Sequence, residues 1–150
     1  MEREALKLAV QVPALAGPAF DDLGTEAFSV PAHQRLAALV ARCGGVSGAG
    51  RPRDWPARLI EEAPDDRARA FLRELAVEQV RVAGDIDEAY VEVVLARVAE
   101  LAVGRQITAA KARLQRMNPV DEQAEYGRLF GDLMALEQRR QALLRRATGG

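Results

Sequence analysis

Apolar residues in the first 86 positions recur at the spacing of short helices, with proline and glycine residues between the runs. Each run is about two to three turns long, and a run ends where Pro13 removes the amide proton that a helix interior needs. The pattern therefore predicts a bundle of short helices over residues 1–86. Its core candidates are Leu6, Val10, Phe20, Leu23, Leu36, Leu39, Val40, Trp55, Leu59, Ile60, Phe71, Leu72 and Leu75.

Polar residues mark where several of these helices begin. Ser29 precedes Pro31, an arrangement that predicts a serine cap on the helix that ends at Gly44-Gly45. Asp65 or Asp66 is expected to cap a later helix in the same way.

The predicted helix that begins after Asp87 is much longer than those before it. No proline and only one glycine, Gly104, lie between Asp87 and Asn118, so about 30 residues can form one helix on the order of 45 Å long. A first stripe ends at Leu101 and a second begins at Val103, about 200° further around the helix. We therefore expect residues 87–102 to pack on the bundle and the remainder to face a second partner. The stripes are Val91, Val94, Val98 and Leu101, then Val103, Ile107, Ala110, Leu114 and Met117.

The stretch QRMNPVDEQ, residues 115–123, predicts a stop and a restart. Asn118 is a favoured helix cap, Pro119 suits the first helical position, and acidic residues follow at the positive end of the new helix. Beyond the turn, a seam with coiled-coil spacing is interrupted only by Arg140. These features predict an antiparallel hairpin, 103–117 against 119–146, in a unit of residues 103–150. The seam residues are Tyr126, Leu129, Leu133, Leu136 and Leu143.

A second apolar series lies one position beyond this seam, at Phe130, Met134 and Leu144. The combined stripe is wider than one antiparallel neighbour needs. The surplus could cover the bundle or serve as a docking surface, and the register change near Gly104 favours docking because it directs the hairpin away from the bundle.

Composition supports an all-α chain without bound metal. Aromatic residues make up 5% of the 150 residues, while 49% are hydrophobic and 29% are charged, a mixture that favours helix. One cysteine, Cys43, and one histidine, His33, are too few for a structural zinc site. The glycine-rich GGVSGAGRP lacks the Lys-Ser/Thr and the preceding strand of a phosphate loop. We expect no catalytic residue, cofactor or metal in this chain, and we assign Asp85 and Asp87 to helix capping.

The charge distribution leaves a second function class open. Residues 101–150 hold nine Lys/Arg against five Asp/Glu, whereas residues 1–100 hold twelve against seventeen. A basic end can attract nucleic acid, so a single-stranded nucleic-acid-binding module is an alternative, although the excess is modest for that role. No apolar run has the length of a membrane span, and acidic residues stand where a signal peptide would be basic. A cytoplasmic location is therefore expected.

Two long phrases of the chain resemble the C-terminal part of bacterial DnaG-type DNA primases. The first is ITAAKARLQRMNPVDEQAEYGRLFGDLMALEQRRQALLRRA, in which a basic-apolar helix end, an Asn-Pro restart and a Leu-Glu-Gln-Arg-Arg phrase follow in the family's order. The second is REALKLAVQVPALAGPAFDDLGTEAFSVPAH, which is similar to the start of the same domain in actinobacterial-type primases. Together they place the resemblance over nearly the whole chain.

The resemblance implies a non-catalytic helicase-binding domain that docks on the N-terminal domains of the hexameric DnaB-type helicase and couples primer synthesis to the fork. The parent enzyme would be a DNA primase, with its zinc and magnesium in other parts, acting at the nucleoid-associated replisome. A helicase's own N-terminal domain, which shares the bundle, is an alternative. The implied helicase contacts are Arg113, Arg116, Met117, Asn118, Pro119, Val120, Tyr126, Phe130, Met134, Arg139, Arg140 and Leu144. Arg3 and Lys7 are implied as possible contacts for the acidic tail of single-stranded DNA-binding protein.

Overall fold

A computed structural model describes residues 1–149 of the chain. The described residues form α-helices and two 3-10 turns without any strand, which confirms the all-α prediction. The 3-10 turns are Thr25–Ala27 and Val46–Gly48. The helices are α1 Glu2–Gln11, α2 Pro13–Asp21, α3 Pro31–Arg42, α4 Trp55–Glu62, α5 Asp66–Val77, α6 Glu88–Arg116 and α7 Gln123–Ala147.

The first five helices surround one apolar core, as predicted. Trp55 is fully buried, and its indole Nε1 donates a hydrogen bond of 3.0 Å to the carbonyl of Ala9. The N-terminal half of α6 completes this core with Val91, Val94 and Val98, each at most 2% exposed. The long helix is therefore part of the bundle over its first half.

A buried polar network fastens α1 to the segment that leads into α6. The Lys7 ammonium donates to Glu4 at 3.0 Å and to the carbonyl of Gln79 at 3.2 Å, and it lies 3.3 Å from Glu78. Glu4 also accepts hydrogen bonds from the Arg81 amide and the Tyr90 hydroxyl. Burial alone would raise the pKa of Glu4, but these hydrogen bonds outweigh it and lower the pKa. Burial and the nearby Glu4 raise the pKa of Tyr90 to about 12.

The start of α3 differs from the sequence prediction. No side chain of α3's own N-terminal segment caps the helix; Glu2 of α1 accepts hydrogen bonds of 2.6 Å from both the amide and the hydroxyl of Ser29. The His33 Nδ1 lies 2.7 Å from the same carboxylate. The prediction of a Ser29 cap was wrong, because the serine hydroxyl is donated to a carboxylate that the fold brings from another helix.

Two predicted aspartate caps, Asp65 and Asp87, are confirmed, whereas the assignment of Asp85 to capping was wrong, because Asp87 is the residue that precedes α6. Asp65 accepts a 2.8 Å hydrogen bond from the Ala68 amide, and Asp87 accepts one of the same length from the Tyr90 amide. Both residues satisfy amide groups that the first turn of a helix otherwise leaves unpaired.

The predicted change of face along α6 is observed, with one exception. Val103, Ile107 and Ala110 are buried against α7 in a second apolar cluster that also contains Leu133 and Leu143. Leu101, assigned to the first stripe, is instead 40% exposed, since it borders an open depression beside Gly104 rather than the bundle. The neighbouring Ala102 takes the buried position. The division into units 1–86, 87–102 and 103–150 stays a prediction.

The turn between the long helices is longer than predicted. Asn118 Oδ1 accepts hydrogen bonds from the amides of Val120 and Asp121, at 2.9 and 3.3 Å, and α7 begins only at Gln123. The predicted helix start at Pro119 was wrong, because Asn118 stabilises a separate turn before the helix begins. The antiparallel hairpin itself is confirmed, but α7 extends along α6 beyond the predicted limit at residue 103, since Arg140 pairs with Glu100 and Arg146 with Glu92.

A buried carboxylate joins α7 to α6 at the point where α6 leaves the bundle. Glu100 is 2% exposed and accepts hydrogen bonds from Arg97 at 2.8 Å and from Arg140 at 3.0 Å. The polar Arg140 is thus accommodated in the apolar seam because it binds the buried carboxylate of Glu100. We call these three side chains the junction triad.

We predict that replacing Glu2 by Gln reduces stability at neutral pH and flattens the acid dependence of unfolding. Burial would raise the pKa of Glu2, but hydrogen bonds from Ser29 and His33 lower it from 4.5 to about 2. A lowered folded-state pKa stabilises the fold above pH 4.5, and this contribution is lost as pH falls towards 2. We expect a loss of about 1–2 kcal/mol at pH 7, measured by urea unfolding between pH 7 and pH 3. The control is Glu61→Gln at an exposed position of α4; an equal loss there would contradict the prediction.

We predict that Arg140→Ala lowers the free energy of unfolding by about 2 kcal/mol, because it removes one of two charged donors to a buried carboxylate. Arg139→Ala is the matched control one position away, since Arg139 is exposed and makes no ion pair within residues 1–149. It should change stability by less than about 0.5 kcal/mol. Both variants are compared with the unmodified domain by thermal and urea unfolding. If Arg140→Ala and Arg139→Ala reduce stability equally, the junction triad does not hold the hairpin.

Candidate partner-binding surface

The tip of the hairpin is an exposed turn. Val120 is 81% exposed, and Pro119, Asn118 and Arg116 are also exposed, while Met117 is half-buried at the end of α6. The side chain of Asn118 stabilises this turn. The exposed Val120 is therefore available for contact with another protein.

One face of α7 carries apolar side chains that do not belong to the seam. Phe130 is 48% exposed and Met134 is 43% exposed, one helical turn apart. Tyr126 precedes them by one turn and is half-buried; its prediction as a seam residue was wrong, because it lies outside the apolar cluster between α6 and α7. Leu144 lies on the same face further along and is also half-buried. We call Tyr126, Phe130, Met134 and Leu144 the apolar edge. It is separate from the seam, where Leu133 and Leu143 are buried.

The predicted basic contacts lie in three different places. Arg113 forms a 2.8 Å ion pair with Glu125 across the hairpin. Arg140 belongs to the junction triad. Arg139 lines a cleft of about 430 Å³ between the bundle and the hairpin, opposite Asp22 and Glu26. The structure therefore brings the tip and the apolar edge together on the hairpin of α6 and α7, which we call the arm, and distributes these three arginines around it.

Arg3 and Lys7 already have partners inside the domain. Lys7 is 1% exposed and its ammonium is shared by Glu4, Glu78 and the Gln79 carbonyl. Arg3 donates to Glu78 at 2.6 Å and to Glu74 at 3.1 Å. The hydrogen bond from Arg3 lowers the pKa of Glu78. Both cations therefore stabilise the packing of α1 on the end of α5.

Sequence reasoning missed a depression beside the junction triad. It measures about 410 Å³ and is lined by Glu100, Leu101, Gly104, Arg105, Thr108 and Arg140. The residues on the exposed side of α6 show no pattern in the sequence beyond scattered polar positions. The sequence therefore carried no signal for this depression. Arg105 also donates a 2.8 Å hydrogen bond to the carbonyl of Ala27, which ties this part of α6 to the bundle.

The described residues offer no assembled metal site and no membrane span. Within residues 1–149, no three His, Cys, Asp or Glu side chains are grouped so that they could hold a metal ion. None of the helices in this range combines the length and apolar character that crossing a membrane requires. Burial raises the pKa of the Cys43 thiol, which disfavours the reactive thiolate.

Known proteins similar to this chain are DNA primases. The chain is 41% identical over 148 residues to a DNA primase of Mycobacterium bovis, 42% over 149 residues to one of Mycolicibacterium smegmatis, and 38% over 141 residues to one of Streptomyces coelicolor. The alignments cover 99%, 99% and 91% of this chain but only 23%, 23% and 22% of those relatives. The chain thus spans about a quarter of their length.

A solved structure shares the fold over nearly the whole chain. It is the helicase binding domain of primase from Mycobacterium tuberculosis, with a TM-score of 0.79 and 41% identity, covering 99% of this chain and 92% of that one. The family model for "DNA primase DnaG DnaB-binding" matches residues 2–129. Because that match covers the bundle, α6 and the turn before α7, this chain belongs to the DnaB-binding domain family of the DNA primase DnaG.

Proposed function

We propose that this chain is the domain by which a bacterial DNA primase binds the N-terminal domains of the hexameric replicative helicase. It couples primer synthesis to the replication fork, within the cytoplasmic, nucleoid-associated replisome. Primer synthesis, an RNA-polymerising nucleotidyl transfer, is assigned to other parts of the parent enzyme, as are zinc and magnesium. The observation that carries the proposal is an exposed apolar edge on a rigid arm in a chain of the DnaB-binding family.

The arm is suited to docking because its contact residues are ordered before a partner arrives. Phe130 and Met134 sit on a helix that is anchored to α6 by the buried Leu133 and Leu143. Partially exposed aromatic and thioether side chains are the residue types that dominate binding energy at protein interfaces. A preformed helical arm also lowers the entropic cost of association.

Within this proposal the predicted residues take different parts. Pro119, Val120, Phe130 and Met134 make the main contacts, and Tyr126 and Leu144 extend the apolar edge. Met117 and Asn118 shape the turn, and Arg116 adds charge near the tip. Arg113 and Arg140 hold α7 against α6 through their ion pairs with Glu125 and Glu100. Arg139 faces the cleft and is expected to contribute least.

Single-stranded DNA-binding protein is not included in the proposed function. Arg3 is already paired with Glu74 and Glu78, and Lys7 is only 1% exposed. The assignment to a helicase's own N-terminal domain is also set aside, because the matched relatives are DNA primases.

The first test is Phe130→Asp. We expect it to weaken binding to the N-terminal domain of the cognate helicase by about tenfold or more, as measured by isothermal titration calorimetry. Stability should change by less than about 0.5 kcal/mol, because Phe130 lies outside the seam. Val77→Asp is the matched control, since Val77 is an 85% exposed apolar residue at the end of α5. Equal weakening by both substitutions, or no binding by the intact domain, would contradict the proposal.

The second test addresses nucleic-acid binding, which the exposed arginines of α6 and α7 keep as an alternative function. Fluorescence anisotropy with single-stranded DNA at 50 and 200 mM salt separates the two, because binding to phosphates weakens steeply as salt rises. We expect weak binding at low salt and none at high salt. Binding tighter than that of the helicase domain at the higher salt would favour the nucleic-acid alternative.

A further inference from the structure

The apolar edge continues into the basic depression beside the junction triad. Glu137 follows Met134 by three residues on the same face of α7, and Lys111 follows Thr108 by three residues on the same face of α6. Lys111 and Glu137 form a 3.4 Å ion pair across the hairpin. The apolar edge and the depression therefore lie on the same side of the arm.

The depression carries excess positive charge. The guanidinium groups of Arg97 and Arg140 share the single carboxylate of Glu100, and Arg105 donates only to a neutral backbone carbonyl. Each guanidinium has five donor hydrogens in a planar fork, so donors remain after these bonds are made. Within residues 1–149 no second carboxylate lies within ion-pair distance of these three arginines.

The backbone beside the apolar edge is open to close approach. Gly127 and Gly131 stand in the interior of α7, and a Cβ added at either would meet no atom within 4 Å. A glycine costs a helix interior about 1 kcal/mol relative to alanine, and packing within the domain does not offset this cost. Next to the exposed Phe130 and Met134, the two glycines leave room for the side chains of a helix that lies along α7.

We infer that the element which the arm binds is an amphipathic helix with an apolar anchor at one end and a carboxylate at the other. This inference rests on the proposed function and specifies the partner's chemistry. The anchor contacts Phe130 and Met134, and the carboxylate enters the depression between Arg105 and Arg140. Phe130 and Arg140 are ten positions apart on α7, so the two groups on the partner are separated by about 15 Å, or about three helical turns.

The surroundings favour a protein carboxylate over a nucleic-acid phosphate. A phosphate backbone binds to a continuous line of cations, whereas the next charges along this side, Lys111 and Glu137, neutralise each other. Leu101, 40% exposed, borders the depression and extends the apolar surface around it. An anionic side chain on an apolar helix matches this combination of one basic site and a long apolar edge.

Thr108→Glu tests the inference by placing a tethered carboxylate in the depression. Thr108 is exposed, and its hydroxyl bonds only to the carbonyl of Gly104 within its own helix. The new carboxylate would compete for Arg105 and Arg140 without removing either of them. Thr108→Gln has the same length without the charge and is the matched control.

We expect Thr108→Glu to weaken binding to the cognate helicase N-terminal domain by about tenfold in 50 mM salt, and by less in 500 mM salt, because salt screens the competing charge. Thr108→Gln should stay within about twofold of the unmodified domain, and both variants should keep its melting temperature. If Thr108→Glu and Thr108→Gln weaken binding equally, or neither does, the inference is overturned.

Parallel measurements separate this result from failure of the proposed function. If Phe130→Asp abolishes helicase binding and Thr108→Glu leaves it intact, the proposed function stands and the inferred carboxylate contact is wrong. If the unmodified domain does not bind the helicase domain, the proposed function itself fails. In fluorescence anisotropy with single-stranded DNA, Thr108→Glu should have no greater effect than Thr108→Gln. Loss of DNA binding specific to Thr108→Glu would assign the depression to phosphate and overturn the inference.

Discussion

The alignment of the two long helices depends on one buried carboxylate. Glu100 lies near the end of the part of α6 that contacts the bundle, and its charged partners Arg97 and Arg140 come from the two helices of the arm. A buried charge that is properly paired stabilises little by itself, but it penalises any register that leaves it unpaired. Sliding α7 by one turn along α6 would separate Arg140 from Glu100. The junction triad therefore fixes which residues of α7 face the seam and which remain exposed.

That register determines the exposed surface of the arm. With Leu133 and Leu143 in the seam, helical geometry rotates Phe130 and Met134 out of it. The ion pairs Arg113–Glu125 and Arg146–Glu92 lie further along the same antiparallel alignment. Because α7 runs back along α6 as far as Glu92, it is attached to the half of α6 that packs on the bundle. The arm is therefore held by a rigid part of the domain. An apolar edge on such a base can be complementary to a partner at small entropic cost.

The bundle obtains its rigidity in a different way. Charged residues of α1 face inward and are satisfied there: Glu4 and Lys7 connect α1 to the segment after α5, and Glu2 accepts hydrogen bonds from Ser29 just before α3. Lys7 therefore belongs to the core although its residue type suggests a surface contact. The exposed apolar edge lies on the hairpin, where ion pairs such as Arg113–Glu125 and Lys111–Glu137 join the two helices.

The sequence alone determined the elements and their order, because proline, glycine and aspartate act locally and because apolar spacing reports which face of a helix is buried. It identified the long helix, its change of face near Gly104, the antiparallel hairpin and the surplus apolar residues Phe130 and Met134. Only the tertiary structure decided what depends on side chains from distant segments. Glu2 accepted the hydrogen bonds of Ser29, Lys7 became buried, Leu101 became exposed and Arg140, already expected in the seam, was paired there with Glu100. The basic depression was beyond sequence reasoning for the same reason, since its arginines converge only when α7 folds back onto α6.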